Sequence, residues 1–175
     1  MVLVVPAGWE DRTSAELPHG IQADIVAGGE ARQDSVGNGL RHVTTERVVV
    51  HDAARPLATS ALVRSLLAEL DRAEAVLAAV PVDETLKHVE DGTVMRTVDR
   101  AGMWRSQTPA AFLTEALKDA HRRAAQEGFV GTDESQLVER YGGRVRVVPG
   151  SRANLKVTFP EDFALAEAML TAGLA

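Results

Sequence analysis

The chain has 175 residues, enough for one domain that buries about 70% of its unfolded surface. A hydrophobic share of 45% with 25% charged residues marks an ordinary globular protein, and the net charge of −6 argues against a nucleic-acid or anionic-membrane partner, either of which needs a dense basic field. Cysteine is absent, which removes disulfides, zinc–thiolate sites and thiol catalysis, and no segment is long and apolar enough to span a bilayer or to form a signal-peptide core, so a cytoplasmic enzyme or binding domain is expected.

Strand-like and helix-like segments alternate along the chain. Residues 1–6 form a continuous apolar run suited to a strand buried on both faces. A second strand is expected over 23–27, after which Gly28 and Gly29 turn the chain into a helix over 32–42. A third strand covers 47–51. Thr59 or Ser60 caps the next helix, over 61–73, whose Leu62, Leu66, Leu67 and Leu70 make one apolar stripe. A strand returns over 75–82. This alternation predicts an α/β fold with three layers and a mostly parallel sheet.

The rhythm breaks between Asp83 and Arg100. Two polar runs, 84–90 and 93–98, flank Asp91-Gly92, a two-residue hairpin signal. An isolated hairpin is marginal in water, so it is expected to protrude as an arm and pack on a partner subunit, with an edge flap on its own sheet as the alternative. Helices follow over 114–127, ended by Gly128, and over 133–141, with Thr132 as cap. A strand over 144–148, a short extended stretch over 155–158 and a last helix to about residue 171 complete the chain; Thr158 and Glu161 have capping-box spacing. The whole reads as a single domain without repeats or linkers.

The stretch from Val48 to Pro56 carries the clearest chemical signal. A buried strand ends in Asp52 and Arg55, and ligands of open α/β sheets sit at the carboxyl ends of strands. The carboxylate can hold a cation or hydroxyl while the guanidinium forks onto phosphate; alternatively the two satisfy each other in a turn. The Gly28–Gly29 turn and Ser35 either receive an anion or base edge or serve only the turn. Arg100, beside Asp99, is either a phosphate clamp or a solvated charge. Thr132 heads an acid-rich helix start. Lys156 lies in an apolar extended stretch, where it either snorkels or reaches a nucleotide. The five histidines lack metal-ligand spacing, and neither a dinucleotide fingerprint, a Walker A loop nor a Gly-x-Ser-x-Gly elbow occurs.

Taken in order, Gly-Gly-x-x-Arg-x-x-Ser-Val (28–36), His-Asp-Ala-Ala-Arg-Pro (51–56), Thr-Val-Asp-Arg (97–100), Gln-Thr-Pro (107–109), Thr-Asp-Glu-Ser (132–135) and Asn-Leu-Lys-Val-Thr (154–158) resemble the 2-C-methyl-D-erythritol 4-phosphate cytidylyltransferases of non-mevalonate isoprenoid synthesis. The resemblance implies a homodimeric nucleotidyltransferase with a Rossmann-like sheet and an interlocking β-arm, joining CTP to a phosphorylated sugar alcohol with Mg²⁺. It implies that Gly29, Glu30, Ser35 and Ala53 contact the cytidine nucleotide, the family often having Asp where this chain has Glu30. Asp52 would orient the acceptor and help organise the metal-bound nucleotide, Arg55, Thr132 and Lys156 would hold acceptor or phosphates, and Thr85 and Arg100 would arrive from the other subunit. A ribitol-5-phosphate type of cytidylyltransferase shares the fold and several of these motifs.

The family also opens with a central strand and a glycine-rich loop of the Ala-Ala-Gly-x-Gly-x-Arg kind, followed by a Lys, that wraps the triphosphate. Residues 1–6 of this chain align with the family's second strand, and no such loop occurs. Two expectations follow: unpaired apolar strand edges where a central strand would lie, and weakened catalysis, each lost donor to such a transition state removing about 10²–10³ in rate. A fragment of a full enzyme and a non-catalytic dimerising remnant are the corresponding alternatives.

Overall fold

The structure, a computed structural model, describes residues 1–174. In chain order the elements are β1 (Val2–Val5), α1 (Glu10–Glu16), β2 (Asp24–Ala27), α2 (Arg32–Leu40), β3 (Arg47–Val50), α3 (Ser60–Glu69), β4 (Ala75–Pro81), β5 (Leu86–Glu90), β6 (Thr93–Val98), β7 (Trp104–Leu113), α4 (Thr114–Glu127), α5 (Glu134–Arg140), β8 (Val145–Pro149) and α6 (Pro160–Thr171). A 3-10 turn over Leu70–Arg72 prolongs α3.

The main sheet has the order β3-β7-β4-β8. Successive side chains point to opposite faces, and the two faces carry separate cores. Ala75, Ala110 and Phe112 pack with Leu40 of α2, Leu117 of α4 and Leu137 of α5. Val76, Ala78, Ala111 and Val148 pack with Leu66 and Leu70 on the α3 side. The three expected layers are therefore present.

The expectation of a mostly parallel sheet needs correction. β4 and β8 run parallel, as do β1 and β2, but β7 is antiparallel to both β3 and β4. The sheet is mixed because residues 104–113, for which no strand was expected, form its longest strand. Proline cannot donate to a ladder, so Gln107-Thr108-Pro109 carries no strand signal of its own. The strand accommodates it in an irregularity: Leu77 pairs with Ala110 and Ala78 with Gln107, so Thr108 and Pro109 fall outside the register.

β1 and β2 form a sheet of their own. It faces β3 across a slot of about 310 Å³ lined by Val2 and Val4 of β1, Val36 of α2 and Val48 and Val50 of β3. Among the described strands, β1 pairs only with β2 and β3 only with β7, the unpaired apolar edges expected above. Helix α2 lies close on β1, where a Cβ at Gly39 would sit 2.8 Å from the Val4 side chain.

β5 and β6 pair only with each other, turning through Asp91 and Gly92 at φ of 46° and 75°. Both positions lie in the left-handed region that Asp-Gly hairpins use. Val89, Val94 and Met95 are exposed on this hairpin, together with Met103 and Trp104 where the chain leaves it.

Helix ends follow local chemistry. Thr59 caps α3 by accepting from the Leu62 amide at 3.2 Å. At α5 the cap is Asp133 rather than Thr132: its carboxylate accepts from the Gln136 amide at 2.8 Å. At α6 the expected box shifts by one residue, with Asp162 accepting from the Thr158 and Phe159 amides at 2.8 and 2.9 Å. α1 was not expected; it buries no residue, so it leaves no apolar periodicity to read.

Candidate active site

Strand β3 delivers Asp52 just beyond its carboxyl end, and the Asp52 amide donates to the Thr108 hydroxyl at 2.9 Å, fixing the turn against β7. The Asp52 carboxylate is engaged on both oxygens. Oδ1 accepts from Arg32 Nη2 at 2.9 Å and Nε at 3.3 Å, and Oδ2 accepts from Lys156 Nζ at 3.0 Å. Burial alone would raise the Asp52 pKa, but the hydrogen bonds from Arg32 and Lys156 outweigh it and hold the group below the usual carboxylate range.

Arg32 carries a second acid. Its Nη1 donates to both oxygens of Glu134 at 2.7 and 2.6 Å. Glu134 is buried, at 3% exposure, and begins α5. Burial pulls the Arg32 pKa down, yet bonding to Glu134 and then Asp52 raises it overall. The guanidinium is permanently charged and ties together the starts of α2 and α5 and the end of β3.

Arg55 does not pair with Asp52 as the second reading of their spacing had it. Its amide closes a turn onto the Asp52 carbonyl at 2.9 Å, but its side chain makes no ion pair with Asp52; Nη1 donates to the Asn154 carbonyl at 2.8 Å, and Nε is buried without a partner. Burial lowers its pKa, opposed by the charge of Asp52. Asn154, 2% exposed, donates to the Thr108 carbonyl at 2.9 Å and to Gln107 Oε1 at 3.3 Å. Gln107 Nε2 in turn donates to the Ser151 carbonyl at 2.9 Å. With the Val157 amide bonded to the Ala54 carbonyl at 2.8 Å, this buried polar block sets the segment that carries Lys156 beside the turn that carries Asp52.

The remaining expected residues divide into two groups. Gly29 and Glu30 lie in the turn before α2, Ser35 in its first turns, and Ala53 directly follows Asp52. The Ser35 hydroxyl accepts from the Gly29 amide at 3.0 Å and donates to the Ala31 carbonyl at 3.1 Å, so it serves its own turn in this state. A Cβ at Gly29 would lie 2.4 Å from the Asp34 Cβ, which is why the turn needs glycine there. Ser35, Asp52 and Ala53 line the end of the slot between β1 and β3. Glu30 is exposed and makes no side-chain hydrogen bond among the described residues. Thr132 is exposed beside α5, its amide and hydroxyl turned to Gln136 Oε1 at 2.8 and 3.3 Å. Thr85 and Arg100 stand apart, on the hairpin; Arg100 bonds the Asp83 carbonyl at the base of the arm.

Sequence reading assigned no role to Arg32, Glu134, Thr108, Asn154 or Gln107, although all five lie inside the motifs quoted above. The signal was the motif membership itself; the partners lie up to 102 residues apart, beyond any local spacing. A cavity of about 570 Å³ between α2 and α4, lined by residues such as Asn38, Arg41 and His121, contains none of the candidate site residues.

As a cation site the centre offers one carboxylate. No cluster of three or more acidic or histidine side chains occurs among the described residues. Mg²⁺ commonly takes one or two protein carboxylates and completes its shell with water and substrate phosphate, so Asp52 fits a metal carried on a phosphate chain rather than one held in a protein cage. Three cations, Arg32, Arg55 and Lys156, face two carboxylates, Asp52 and Glu134. The surplus is positive, and suited to anionic ligands.

A family model described as 2-C-methyl-D-erythritol 4-phosphate cytidylyltransferase matches residues 1–172. The chain is 42% identical over 170 residues to the protein of that name from Aquifex aeolicus, covering 97% of this chain and 78% of the relative. It is 46% identical over 150 residues to that of Bacillus mycoides, covering 85% of this chain and 66% of the relative. Among solved structures, the 2-C-methyl-D-erythritol 4-phosphate cytidylyltransferase of Thermus thermophilus superposes with a TM-score of 0.87 at 35% identity, over 97% of this chain and 81% of that one. A 4-diphosphocytidyl-2C-methyl-D-erythritol synthase of Anaerococcus prevotii gives 0.86 at 30% identity, over 97% and 78%.

Proposed function

The chain belongs to the 2-C-methyl-D-erythritol 4-phosphate cytidylyltransferase family of Rossmann-like α/β nucleotidyltransferases, and from that premise we propose that it joins CTP to 2-C-methyl-D-erythritol 4-phosphate. An oxygen of the acceptor phosphate attacks the α-phosphorus of CTP. The bond from that phosphorus to the bridging oxygen breaks, giving 4-diphosphocytidyl-2-C-methyl-D-erythritol and pyrophosphate. The observation that carries this reading is the centre at the end of β3, where Asp52, Arg32, Lys156 and Arg55 gather with a positive surplus.

Such a transfer asks little covalent chemistry of the protein; it asks for two repelling anions to be held in line and for developing charge to be neutralised. Lys156, released from Asp52 when phosphate arrives, binds the reacting phosphates. Arg55, already desolvated and held at one nitrogen by the Asn154 carbonyl, forks onto phosphate with the rest. Asp52 orients the acceptor and offers the carboxylate for Mg²⁺, which when bound would screen the phosphate charges. Gly29, Glu30, Ser35 and Ala53 border the cytidine, and Thr132 borders the acceptor. The hairpin packs on a second copy of the chain, covering Val89, Val94 and Met95 and bringing Thr85 and Arg100 to the partner's acceptor phosphate. Among the described residues no helix is long and apolar enough to cross a membrane; a cytoplasmic location is a separate part of the proposal.

The test is pyrophosphate release with CTP, Mg²⁺ and 2-C-methyl-D-erythritol 4-phosphate, with Asp52→Ala as control. Release should require both substrates and disappear in the control. Equal turnover of ribitol 5-phosphate would move the assignment to the related acceptor. Silence from the folded chain would refute the activity for this polypeptide and leave a non-catalytic dimerising module.

A further inference from the structure

We propose that Arg32 is a positioning residue for Asp52, and that the buried Glu134 holds Arg32 in that position. The effect on turnover rests on the transfer reaction proposed above; the positioning itself does not. Arg32 addresses its two acids through different edges. Nε and Nη2 face Asp52 Oδ1, whereas Nη1 alone meets both oxygens of Glu134. The acids therefore do not compete for the same N–H groups, and Glu134 anchors rather than diverts the guanidinium.

The anchor is rigid and its charge is not. The Glu134 side chain is 4% exposed and heads a helix whose Leu137 and Val138 are core residues, whereas the Arg32 side chain is 39% exposed and would otherwise sample many rotamers. Asp52 has one cation on each oxygen. Lys156 on Oδ2 is a single flexible point charge, while Arg32 on Oδ1 is a planar fork fixed at its far end. When Lys156 turns to a phosphate, Arg32 is the remaining side-chain contact that sets the carboxylate plane. Its placement also couples the Gly28–Gly29 turn, at the start of α2, to the α5 segment beside Thr132, so both proposed substrate flanks share one guanidinium.

The alternative is an Arg32 that only neutralises Glu134, with its contact to Asp52 incidental. Proton–nitrogen spectra of the full chain separate the two, because the Arg32 Nε–H points at Asp52 and not at Glu134. Its signal is identified by its disappearance in Arg32→Lys, and its protection from solvent exchange should be lost in Asp52→Ala, which removes the acceptor. In Glu134→Gln, the positioning role requires that this proton exchange about tenfold or more faster, as expected for loss of a charge-assisted hydrogen bond. Exchange unchanged from the native chain overturns the proposal. If Glu134→Gln does not fold, Glu134→Asp, which keeps the charge but draws it back by one methylene, decides in the same way: faster exchange supports the anchor and unchanged exchange sinks it. In the active enzyme, Glu134→Gln should lower kcat about tenfold while KM for CTP stays near native, and added loss of folded protein cannot imitate that split once active sites are counted. A native chain without turnover would refute the transfer reading, while the exchange measurement would still decide the positioning.

Discussion

Asn154→Ala probes whether the buried amide block, and not only the charges, builds this site. Asn154 is 2% exposed, and its amide nitrogen donates to the Thr108 carbonyl at 2.9 Å and to Gln107 Oε1 at 3.3 Å. Truncation removes both bonds, about 0.5–1.5 kcal/mol each. Gln107 Oε1 keeps the Ser151 amide at 3.3 Å, so the Thr108 carbonyl is the acceptor left bare, adding about 1–3 kcal/mol. One relief opposes these losses: Asn154 Oδ1 is buried without a partner, and the change deletes it. The net expectation is a loss of about 2–4 kcal/mol, read from urea unfolding, with a Tm lower by roughly 5–15 °C for a chain of this size. Asn154→Asp is the companion, because it keeps the shape while a carboxylate cannot donate to the Thr108 carbonyl; it should destabilise at least as much. A loss below about 0.5 kcal/mol in the alanine variant, or native stability in the aspartate variant, would refute the claim that donation from this amide ties the β7 irregularity to the Lys156 segment.

Arg55→Ala removes a cation that has no acid partner among the described residues; if it binds phosphate, kcat/KM should fall about 10–100-fold, corresponding to about 1.5–3 kcal/mol, and near-native values would end that assignment. Acid stability should carry two signatures. Asp52 has a folded pKa below its unfolded one, so its contribution is complete above the unfolded value of about 4 and is lost as pH falls through the folded value; Asp52→Asn should flatten that limb, and an unchanged slope would contradict the ion pairs. His121 is lowered to about 4, by burial above all, against an ordinary value of about 6.5. The fold keeps it neutral, so its contribution is complete above about 6.5 and declines as pH drops toward 4; His121→Gln should remove this slope, and a ring titrating near 6.5 in NMR would refute the burial argument.

The periodic elements were legible because their signals are local. Helix α4, from Thr114 to Glu127 with Gly128 at φ 66° after it, spans the expected range and ends at the glycine stop, and Thr59 caps α3 as read. β7 was not legible for the same reason inverted. A strand that pairs on both sides with segments about 30 and 60 residues away leaves its evidence in its partners, while the proline of its own Gln107-Thr108-Pro109 argues against a central strand. Only the irregularity opposite Leu77 and Ala78 lets that proline-containing tripeptide sit inside a ten-residue strand. The same tripeptide then supplies the Thr108 hydroxyl and carbonyl that hold Asp52 and Asn154, so the feature that hid the strand also builds the site.

Spacing along the chain settled the backbone of the site but not its side-chain partners. Asp52 and Arg55 make the expected turn, Arg55 amide to Asp52 carbonyl, because that bond depends on three residues of local geometry. Which cation meets the carboxylate depends on where other segments end, and those are Arg32, 20 residues before, and Lys156, 104 residues after. With both oxygens of Asp52 occupied from elsewhere, Arg55 is turned to a neutral carbonyl and left with a buried Nε that nothing described here accepts. A desolvated guanidinium without a carboxylate is a poor choice for stability alone, since charges are buried at a penalty that pairing normally offsets. The arrangement becomes reasonable if an anion from outside the chain completes it. That singles out Arg55, among the three cations of the centre, as the one to which the described residues supply no acid partner.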